Sequence, residues 1–488
     1  MNVARASTGD IDLDEFRRVA HEAVDWIAGY LAGIESFPVL PQVNPGDVRR
    51  RLPAAPPDAG EDMTHVLADL DEVIVPATTH WNAPGFLAYF ASTGSAPGIV
   101  AEMLTAALNV NQMLWRTGPA ATELEATVLD WLRQMVGLPE PLFGVINDTA
   151  SSSTLYALAA AREHLGARIR QEGMSGRGDL PRLRVYASTE AHSSVDKAVI
   201  VLGLGASGLT HIPTDAALRM DPTALAEAIA GDVAAGIKPC AVVATVGTTS
   251  TTSVDPVDAI ADVCAELGLW LHLDAAYAGC AAVAPEYRWL LDGAQRAESI
   301  VINPHKWLFT PMDCSVLWTR NPQALRDAFS LVPEYLRTAE GSDGEAVDLM
   351  DYGVSLGRRF RALKLWFIIR SFGVDGLAAR IREHCAFATE LAEWVESNPD
   401  LELLAPVPLS VVCFRAHPRG VDDEARLDTI NQAIIERING DGRFFVSHTR
   451  VQGRFAIRVA FGNLRTTRDH VRALREEFSA SLTPLAPM

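Results

Sequence analysis

The stretch LWLHLDAAY, residues 269–277, runs from a short, mostly apolar segment into a polar turn that begins at Asp274. A helical pattern at 256–267 precedes it, and Asp255 is the predicted N-cap of that helix. Similar short apolar runs, separated by helical patterns, lie at 183–187, 241–246 and 299–302. This alternation of strands and helices predicts a mostly parallel sheet that is covered by helices on both faces.

Polar residues follow the end of each predicted strand. Because ligands bind beyond the carboxyl ends of the strands in an open parallel sheet, we expect these residues to meet at one edge. They are His192, Thr249, Asp274 and, within the segment NPHK, Asn303, His305 and Lys306. A loop of small residues at 149–153 precedes a predicted helix at 154–165. The free backbone amides at such a helix start can bind a phosphate group.

Lys306 lies in the segment NPHKWLF, residues 303–309, where apolar side chains follow it directly. A lysine, a carboxylate, a ring that can stack and a phosphate cradle are the requirements of pyridoxal phosphate, PLP. Lys306 would bond to the cofactor aldehyde, since a desolvated amine is a better nucleophile. Asp274 would hold the proton on the pyridine nitrogen. At about 4 Å its charge is worth roughly 4 kcal/mol at an effective dielectric of 20, on the order of three pKa units.

Each of these signals taken alone has a simpler interpretation. An aspartate at a strand end is commonly a helix cap, a lysine there is commonly a surface residue, and a loop of serine and threonine is commonly just a turn. A single histidine is more often structural than catalytic. The joint order, with each residue at a strand end, is what favours the cofactor interpretation.

A second motif, GLGASG at 203–208, matches the dinucleotide fingerprint GxGxxG. That fingerprint must follow a strand and open a helix. Here 192–202 is predicted to be a helix and 209–212 a strand, which is the reverse order. A nicotinamide-dependent oxidoreductase is therefore an alternative that the order of the elements disfavours.

The composition indicates a small-molecule enzyme. The chain has 488 residues, of which 48% are hydrophobic, and a net charge of −19. This excess of acid argues against a general nucleic-acid surface or an anionic membrane surface as partner. The six cysteines form neither a metal-binding cluster nor a disulfide framework. With no signal-like start and no apolar run of about 18 residues, the sequence predicts a cytoplasmic location.

Three regions are expected along the chain. Residues 1–90 form an N-terminal helical and extended arm, with a first helix that begins near Asp12 and packs on a partner subunit. Residues 91–370 form the large domain, and residues 371–488 a small α+β domain. A capping box at 122–125 is predicted to start a helix, and the Gly- and Ser-rich segment 328–350 is predicted to be mobile.

Several blocks of the sequence resemble the PLP-dependent aromatic L-amino acid decarboxylases, within the group II amino acid decarboxylase family. They are HWNAPGFLAYF (80–90), PAATELE (119–125), AHSSVDKA (191–198), VATVGTTSTTSVDP (243–256), WLHLDAAYAG (270–279), NPHKWL (303–308), PEYL (333–336) and LGRRFRALKLWF (356–367). The resemblance covers nearly the whole chain. It implies an α/β fold of fold type I, with a mostly parallel central sheet of the seven-stranded type, and a homodimer with active sites at the subunit interface.

The resemblance also implies the roles of individual residues. The catalytic residues would be Lys306, Tyr335, His192 and Asp274. The cofactor would be bound by Ala150, Ser151, His192, Thr249, Asp274, Ala276, Asn303, His305 and Lys306. The substrate would be bound by Trp81, Tyr89, Phe90, Ser92, Met113 and Gly357. No metal is implied.

Tyr335 matches the loop tyrosine that returns a proton to the carbanion in this family. Related aldehyde synthases have a different residue there, so Tyr335 together with His192 favours simple decarboxylation, with an aromatic aldehyde synthase as the alternative. Asn111 and Met113 match positions that face the partner's pocket, and Gly357 matches the small residue that accompanies indole substrates among plant relatives. Tryptophan is the favoured substrate, and phenylalanine, tyrosine, DOPA and 5-hydroxytryptophan are also possible.

Overall fold

A computed structural model describes residues 10–139, 142–333, 336 and 346–482. The α-helices of the described residues are α1 (Leu13–Ala32), α2 (Asp47–Arg51), α3 (Met63–Asp69), α4 (Ala96–Leu108), α5 (Pro119–Val136), α6 (Ala150–His164), α7 (Ile169–Glu172), α8 (Ser194–Val201), α9 (Pro222–Ala234), α10 (Val257–Leu267), α11 (Pro304–Trp307), α12 (Pro322–Phe329), α13 (Ala362–Ser397), α14 (Glu424–Gly440) and α15 (Arg468–Leu482). The strands are β1 (Phe143–Asn147), β2 (Leu183–Ser188), β3 (Leu209–Ile212), β4 (Lys238–Thr245), β5 (Trp270–Asp274), β6 (Ser299–Ile302), β7 (Ser315–Thr319), β8 (Leu401–Leu403), β9 (Val411–Ala416), β10 (Ser447–Val451) and β11 (Arg454–Ala460).

The central sheet of the described residues has seven strands in the order β1-β7-β6-β5-β4-β2-β3. Strands β2 to β6 run parallel, and β7 is antiparallel to both of its neighbours. Residues from α6, α8 and α12 form the core on one face, while residues from α5, α9, α10 and α13 form the core on the other. The predicted mostly parallel sheet with helices on both faces is confirmed.

A smaller antiparallel sheet, β10-β11-β9-β8, follows in the C-terminal part and packs against α14 and α15. Helix α13 leads into this part, and its backbone breaks at Gly373, where φ is +63°. The predicted division into 1–90, 91–370 and 371–488 stays a proposal, and its second boundary lies close to this break. The backbone of Leu87 also bonds to Phe445 and Ala460, at 2.9 and 2.8 Å, so the end of the N-terminal arm is attached to the C-terminal sheet.

The capping box predicted at 122–125 is wrong. Helix α5 begins earlier, at Pro119, because a proline is well suited to the first position of a helix. Thr122 and Glu125 therefore lie inside the helix. The carboxylate of Glu125 is buried, accepts a hydrogen bond from the backbone of Ile146 at 2.8 Å and pairs with Arg358 at 2.9 Å.

The prediction that Asp255 caps α10 is also wrong, since that helix begins after Pro256. The Asp255 carboxylate is buried and accepts hydrogen bonds from the backbone amides of Met220 and Thr245, at 2.7 and 2.8 Å. It thus fastens the end of β4 to the segment before α9. A third boundary differs as well: α6 starts at Ala150 rather than near residue 154, so the small-residue segment is the first turn of the helix.

The GxGxxG segment at 203–208 follows α8 and precedes β3. This order is the reverse of a dinucleotide-binding unit, as the sequence indicates, so the segment is a turn from helix to strand. The segment 328–350 that was predicted to be mobile lies in part outside the described residues. Within the described part of the chain, no helix has both the length and the apolar character needed to cross a membrane.

Candidate active site

A cavity of about 180 Å³ lies beyond the carboxyl ends of the parallel strands. The predicted site residues that line it are Phe90, Ala150, Ser151, His192, Thr249, Asp274, Ala276, Asn303, His305 and Lys306. The sequence interpretation omitted Thr149, Thr245, Gly247, Tyr277 and Met312. Thr149 and Tyr277 are directly next to predicted residues, and Thr245 and Gly247 lie at the end of β4 or just after it. These positions in the sequence were the signal that could have identified them.

Lys306 lies in the short helix α11, which follows the end of strand β6. The side chain is partly exposed because it lines the cavity, while Trp307, Leu308 and Phe309 behind it are fully buried. Burial around the amine lowers the pKa of Lys306, and the negative charge of Asp274 opposes that shift. The amine is therefore closer to its neutral, nucleophilic form than a surface lysine is.

Asp274 is the last residue of β5 and is buried. Its Oδ1 accepts a hydrogen bond from the backbone amide of Ala276 at 3.2 Å. The carbonyl of Ala276 in turn accepts from the amide of Asn303 at 3.0 Å, which ties the ends of β5 and β6 together. The carboxylate therefore has a fixed place in the cavity that also contains the Lys306 amine.

His192 lies just before α8 and lines the cavity. Its Nδ1 accepts a hydrogen bond from the backbone amide of Ser194 at 3.1 Å and contacts the Ser194 hydroxyl at 2.8 Å. Burial lowers the pKa of His192, an effect that the charge of Asp274 opposes and the charge of Lys306 reinforces. The neutral ring therefore carries its proton on Nε2, the nitrogen that remains free to donate into the cavity.

The segment predicted to bind an anion lies at the start of helix α6 and lines the cavity. Thr149 is its N-cap with an extended backbone and no capping side chain, so the first amides of the helix, at Ala150 and Ser151, are open to the cavity. His305 stands nearby with Nδ1 accepting from the backbone amide of Cys314 at 3.0 Å. Burial lowers the pKa of His305 to about 3, so its ring is neutral and has an N–H left to donate.

The cavity fits PLP. Asn303 Oδ1 and Thr245 Oγ1 are buried beside it and have no hydrogen-bond partner among the described residues. Buried polar atoms of this kind are normally satisfied by a ligand or by water. PLP offers a phosphate, a ring hydroxyl and a pyridine nitrogen, which match the helix start, the unsatisfied oxygens and the Asp274 carboxylate.

The structure does not bring every predicted substrate residue into this cavity. Trp81 and Tyr89 are 41% and 50% exposed and stack on each other with ring centroids 6.1 Å apart. Met113 packs beside Leu114, Leu336 and Met350 instead. Ser92 and Gly357 also lie outside the lining, and Gly357 borders Asn111.

Phe90 does line the cavity, where it stacks on Tyr277 at 3.6 Å. Tyr335 falls outside the described residues, so its role stays a prediction.

Comparison with known proteins places the chain in a family. The family described as "Pyridoxal-dependent decarboxylase conserved domain" matches residues 45–417. The tryptophan decarboxylase TDC2 of Camptotheca acuminata is 40% identical over 95% of this chain and 93% of its own length. The phenylacetaldehyde synthase of Arabidopsis thaliana is 38% identical over 95% of this chain and 94% of its own.

One solved structure has the same fold as this chain over almost the entire length of both chains. The crystal structure of Oryza sativa TDC with PLP and tryptamine aligns with a TM-score of 0.94 and 39% identity, and the alignment covers 98% of this chain and 99% of that one. The chain belongs to the pyridoxal-dependent decarboxylase family, among its group II aromatic L-amino acid decarboxylases.

Proposed function

We propose that this chain is a PLP-dependent carboxy-lyase that converts an aromatic L-amino acid, tryptophan first, into the corresponding arylalkylamine and carbon dioxide. The observation that carries the proposal is the single cavity that holds the Lys306 amine, the Asp274 carboxylate, the His192 ring and the free start of α6. The tryptophan decarboxylase relative and the tryptamine-bound structure support tryptophan as the first choice.

Bound PLP supplies an electron sink for the electrons of the broken bond. In our proposal, Lys306 holds the cofactor aldehyde, and the negative charge of Asp274 keeps a proton on the pyridine nitrogen. The amides of Ala150 and Ser151, together with the His305 N–H, bind the phosphate. With PLP bound, the neutral Nε2–H of His192 would donate a hydrogen bond to the substrate carboxylate and so hold the bond between that carboxylate and the α-carbon in the orientation needed for its cleavage.

Tyr335 is proposed to donate its phenolic proton to the carbon that loses the carboxylate. A proton delivered there yields the amine. If molecular oxygen accepts two electrons instead and water displaces the nitrogen, the products are an aldehyde, ammonia and hydrogen peroxide. Tyr335 is thus the residue on which the proposed choice between the two reactions depends.

We also propose that the enzyme is a homodimer. Met113 and Gly357 lie outside the cavity of their own chain and would complete the pocket of the partner subunit, with Trp81, Tyr89 and Ser92 beside Phe90 at its entrance. An apolar stripe on α4, formed by Val100, Met103, Leu104 and Leu108, is between 42% and 59% exposed and would be covered by the second copy. A cytoplasmic location stays a prediction from the sequence.

An aromatic aldehyde synthase is the second candidate. The relative named phenylacetaldehyde synthase is nearly as similar to this chain as the named decarboxylase is, with 38% against 40% identity. Overall similarity therefore does not separate the two reactions, and the presence of Tyr335 and His192 is what favours decarboxylation.

Product analysis tests the proposal. The purified protein with PLP is given each common amino acid, DOPA and 5-hydroxytryptophan, and amine, aldehyde, carbon dioxide, ammonia and hydrogen peroxide are measured. We expect amine and carbon dioxide in equal amounts from tryptophan and little peroxide. Aldehyde with equal peroxide and ammonia would establish the second candidate, and a protein that does not bind PLP would overturn both.

The Tyr335→Phe variant separates the two reactions within one protein. It should bind PLP like the wild type but lose clean amine formation, with aldehyde and peroxide appearing instead. Normal amine yield from this variant would remove Tyr335 from its proposed role.

A further inference from the structure

The amine of Lys306 lies over the Phe90 ring, 5.4 Å from the ring centroid. Both residues line the cavity, so the contact is made where the proposed chemistry occurs. An aromatic ring attracts a cation within about 6 Å of its centroid, because the face of the ring carries partial negative charge. The position of the amine therefore suits its ammonium form.

Phe90 is held in this position by a stack of rings. Tyr277 is nearly parallel to Phe90, with centroids 3.6 Å apart, and Trp307 is nearly parallel to Tyr277 at 4.4 Å. The Tyr277 hydroxyl is fixed in turn, since it lies 2.6 Å from the Ser410 hydroxyl. Trp307 directly follows Lys306 in the chain, so the stack connects Phe90 to the same short helix that carries the amine.

The ammonium form of Lys306 needs a contact of this kind. Among the described residues, its amine has neither an ion-pair partner nor a hydrogen-bond partner. The charge of Asp274 raises the pKa of Lys306, but in the proposed function this carboxylate serves the pyridine nitrogen of the cofactor. Burying a cation without a partner is strongly unfavourable, and the ring compensates for part of that cost.

The other charged and titratable groups around the amine do not replace the ring. The charge of Arg458 lowers the pKa of Lys306, and that guanidinium lies over the same ring, 4.9 Å from its centroid. Burial raises the pKa of the Cys280 thiol to about 12, so this thiol is uncharged at neutral pH. Burial also lowers the pKa values of His192 and His305 and so favours their neutral rings. None of these groups offers the ammonium a negative charge.

We propose that the Phe90 ring binds the Lys306 ammonium whenever Lys306 is not bonded to the cofactor. This inference rests on the proposed function, in which the nitrogen of the amino acid replaces the Lys306 nitrogen on the aldehyde carbon. Two protons pass from the entering ammonium ion to the Lys306 nitrogen in this exchange, so Lys306 leaves as an ammonium and no other reactant is needed. The contact with Phe90 then keeps the free side chain in the cavity.

The main test compares Phe90→Leu, which removes the ring, with Phe90→Tyr, which keeps it. The rate at which PLP bonds to the apoenzyme depends on the neutral amine, so the midpoint of its pH profile reports the pKa of Lys306. Loss of the ring should lower this midpoint by about half a pH unit, and bonding below the midpoint should become about threefold faster. Phe90→Tyr should stay close to the wild type.

The direction of the change separates this inference from a purely structural role of Phe90. A variant whose site is only distorted bonds PLP more slowly at every pH. The inference instead requires faster bonding at low pH in a protein that has lost an aromatic ring. The ionisations of PLP itself are the same for all variants, so they do not affect the comparison of midpoints.

A fluorinated ring tests the electrostatic origin of the effect. In this variant Phe90 is replaced by a trifluorinated phenylalanine, which keeps the shape of the ring while its face loses most of the partial negative charge. We expect the same shift of the midpoint as in Phe90→Leu. Because the ring is retained, this variant also serves if Phe90→Leu does not fold.

Phe445→Leu is the matched control. Phe445 packs edge-on against Tyr89 in the same aromatic region, with centroids 5.6 Å apart, and lies outside the lining of the cavity. This variant removes a ring near the N-terminal arm without touching the Lys306 amine. The midpoint of its pH profile should equal that of the wild type.

Borohydride fixation of PLP, followed by peptide mapping, identifies the bonded residue in each protein. With PLP fixed on Lys306, wild-type midpoints in both Phe90→Leu and the fluorinated variant would overturn this inference and leave the proposed function intact. PLP fixed on a residue other than Lys306 would overturn the proposed function, and this inference with it.

Discussion

Lys306 and His192 have the same physical setting: both lie in a cavity where burial favours their neutral forms. Burial lowers the pKa of each, and the negative charge of Asp274 opposes the shift in both cases. A neutral amine and a neutral imidazole are the forms that the proposed chemistry requires, one as nucleophile and one as hydrogen-bond donor. The residue types could be predicted from the sequence, whereas their protonation depends on the surrounding burial.

His192 is the first residue to test. His192→Phe removes the Nε2–H donor and should lower kcat by about 10²- to 10³-fold, the usual effect of losing one donor to a developing charge. His192→Gln keeps a neutral N–H donor and should exceed the Phe variant by at least about tenfold. Steady-state kinetics of the PLP-loaded variants measures both. A Phe variant at least as active as the Gln variant would show that the hydrogen-bond donor is not what matters.

At the scale of secondary-structure elements, the starts of helices are where local patterns mislead. Helix α5 begins three residues before its apparent capping box, and α6 begins at the first small residue of what the pattern describes as a loop. In α5 the Glu125 carboxylate pairs with Arg358, and in α6 Ser151 lines the cavity. The earlier start of α6 matters for function, because it places the first amides of the helix at the cavity.

The buried pair of Glu125 and Arg358 joins α5 to the segment that carries Gly357. Arg358→Met should lower the free energy of unfolding by about 3–5 kcal/mol, because it leaves the Glu125 carboxylate buried without its partner. The double variant Arg358→Met with Glu125→Gln should recover part of this loss, since the amide still accepts from Ile146 without a charge. Denaturant unfolding of the set measures the coupling, and a double variant less stable than Arg358→Met would contradict the argument.

Asp255, which fastens the end of β4, should make stability depend on pH. Burial raises the pKa of Asp255 from 3.8 to about 6, so the native state holds this proton up to a higher pH than the unfolded state does. As pH rises from about 4 to 6, the contribution of this group to the free energy of unfolding falls by about 3 kcal/mol. Above pH 6 it stays at that lower level.

Asp255→Asn removes this ionisation. Relative to the wild type, the variant should gain up to about 3 kcal/mol of stability between pH 4 and pH 7, in addition to a constant loss from the weakened hydrogen bonds to Met220 and Thr245. Unfolding of both proteins at several pH values gives the difference. A difference that does not vary with pH would show that Asp255 is not the titrating group.

At the scale of the whole molecule, distant parts of the chain form one cavity and support it. The central sheet supplies Asp274 and Lys306, and the end of the N-terminal arm supplies Phe90. Arg458 of the C-terminal sheet donates to the backbone carbonyls of Thr249 and Ala88 and so connects the loop after β4 to that arm. The proposed homodimer adds a fourth contribution, from Met113 and Gly357 of the second copy.

Subunit association is tested on the apolar stripe of α4. The double variant Leu104→Asp with Leu108→Asp should raise the Kd of the dimer by about 100-fold or more, because each carboxylate would lose water on burial. Activity should fall with the dimer fraction, as measured by sedimentation at several protein concentrations. Val233→Asp, on an exposed part of α9, is the control. A double variant that remains a dimer would place the interface elsewhere.

Much of the fold and most of the site follow from patterns that the chain carries locally. The alternation of apolar runs and helical stretches predicts the central sheet, and the polar residue after each run predicts Lys306, Asp274, His192 and Thr249 at one edge. These predictions succeed because strand and helix periodicity, and the identity of the next residue, are properties of neighbours in sequence. The family resemblance, rather than periodicity, supplied Ala276, Phe90 and the role of Tyr335.

Other features depend on residues that meet only after folding. Arg458 lies 209 residues from Thr249 and 370 from Ala88, and Glu125 lies 233 from Arg358. No local pattern identifies Arg458 as the hydrogen-bond donor to distant backbone carbonyls. Likewise, no local pattern identifies Asp255 as a buried acceptor that connects two separate segments. Strand ends and residue types are encoded along the chain, but burial, charge balance and hydrogen-bond partners arise only when the two sheets and the N-terminal arm pack against one another.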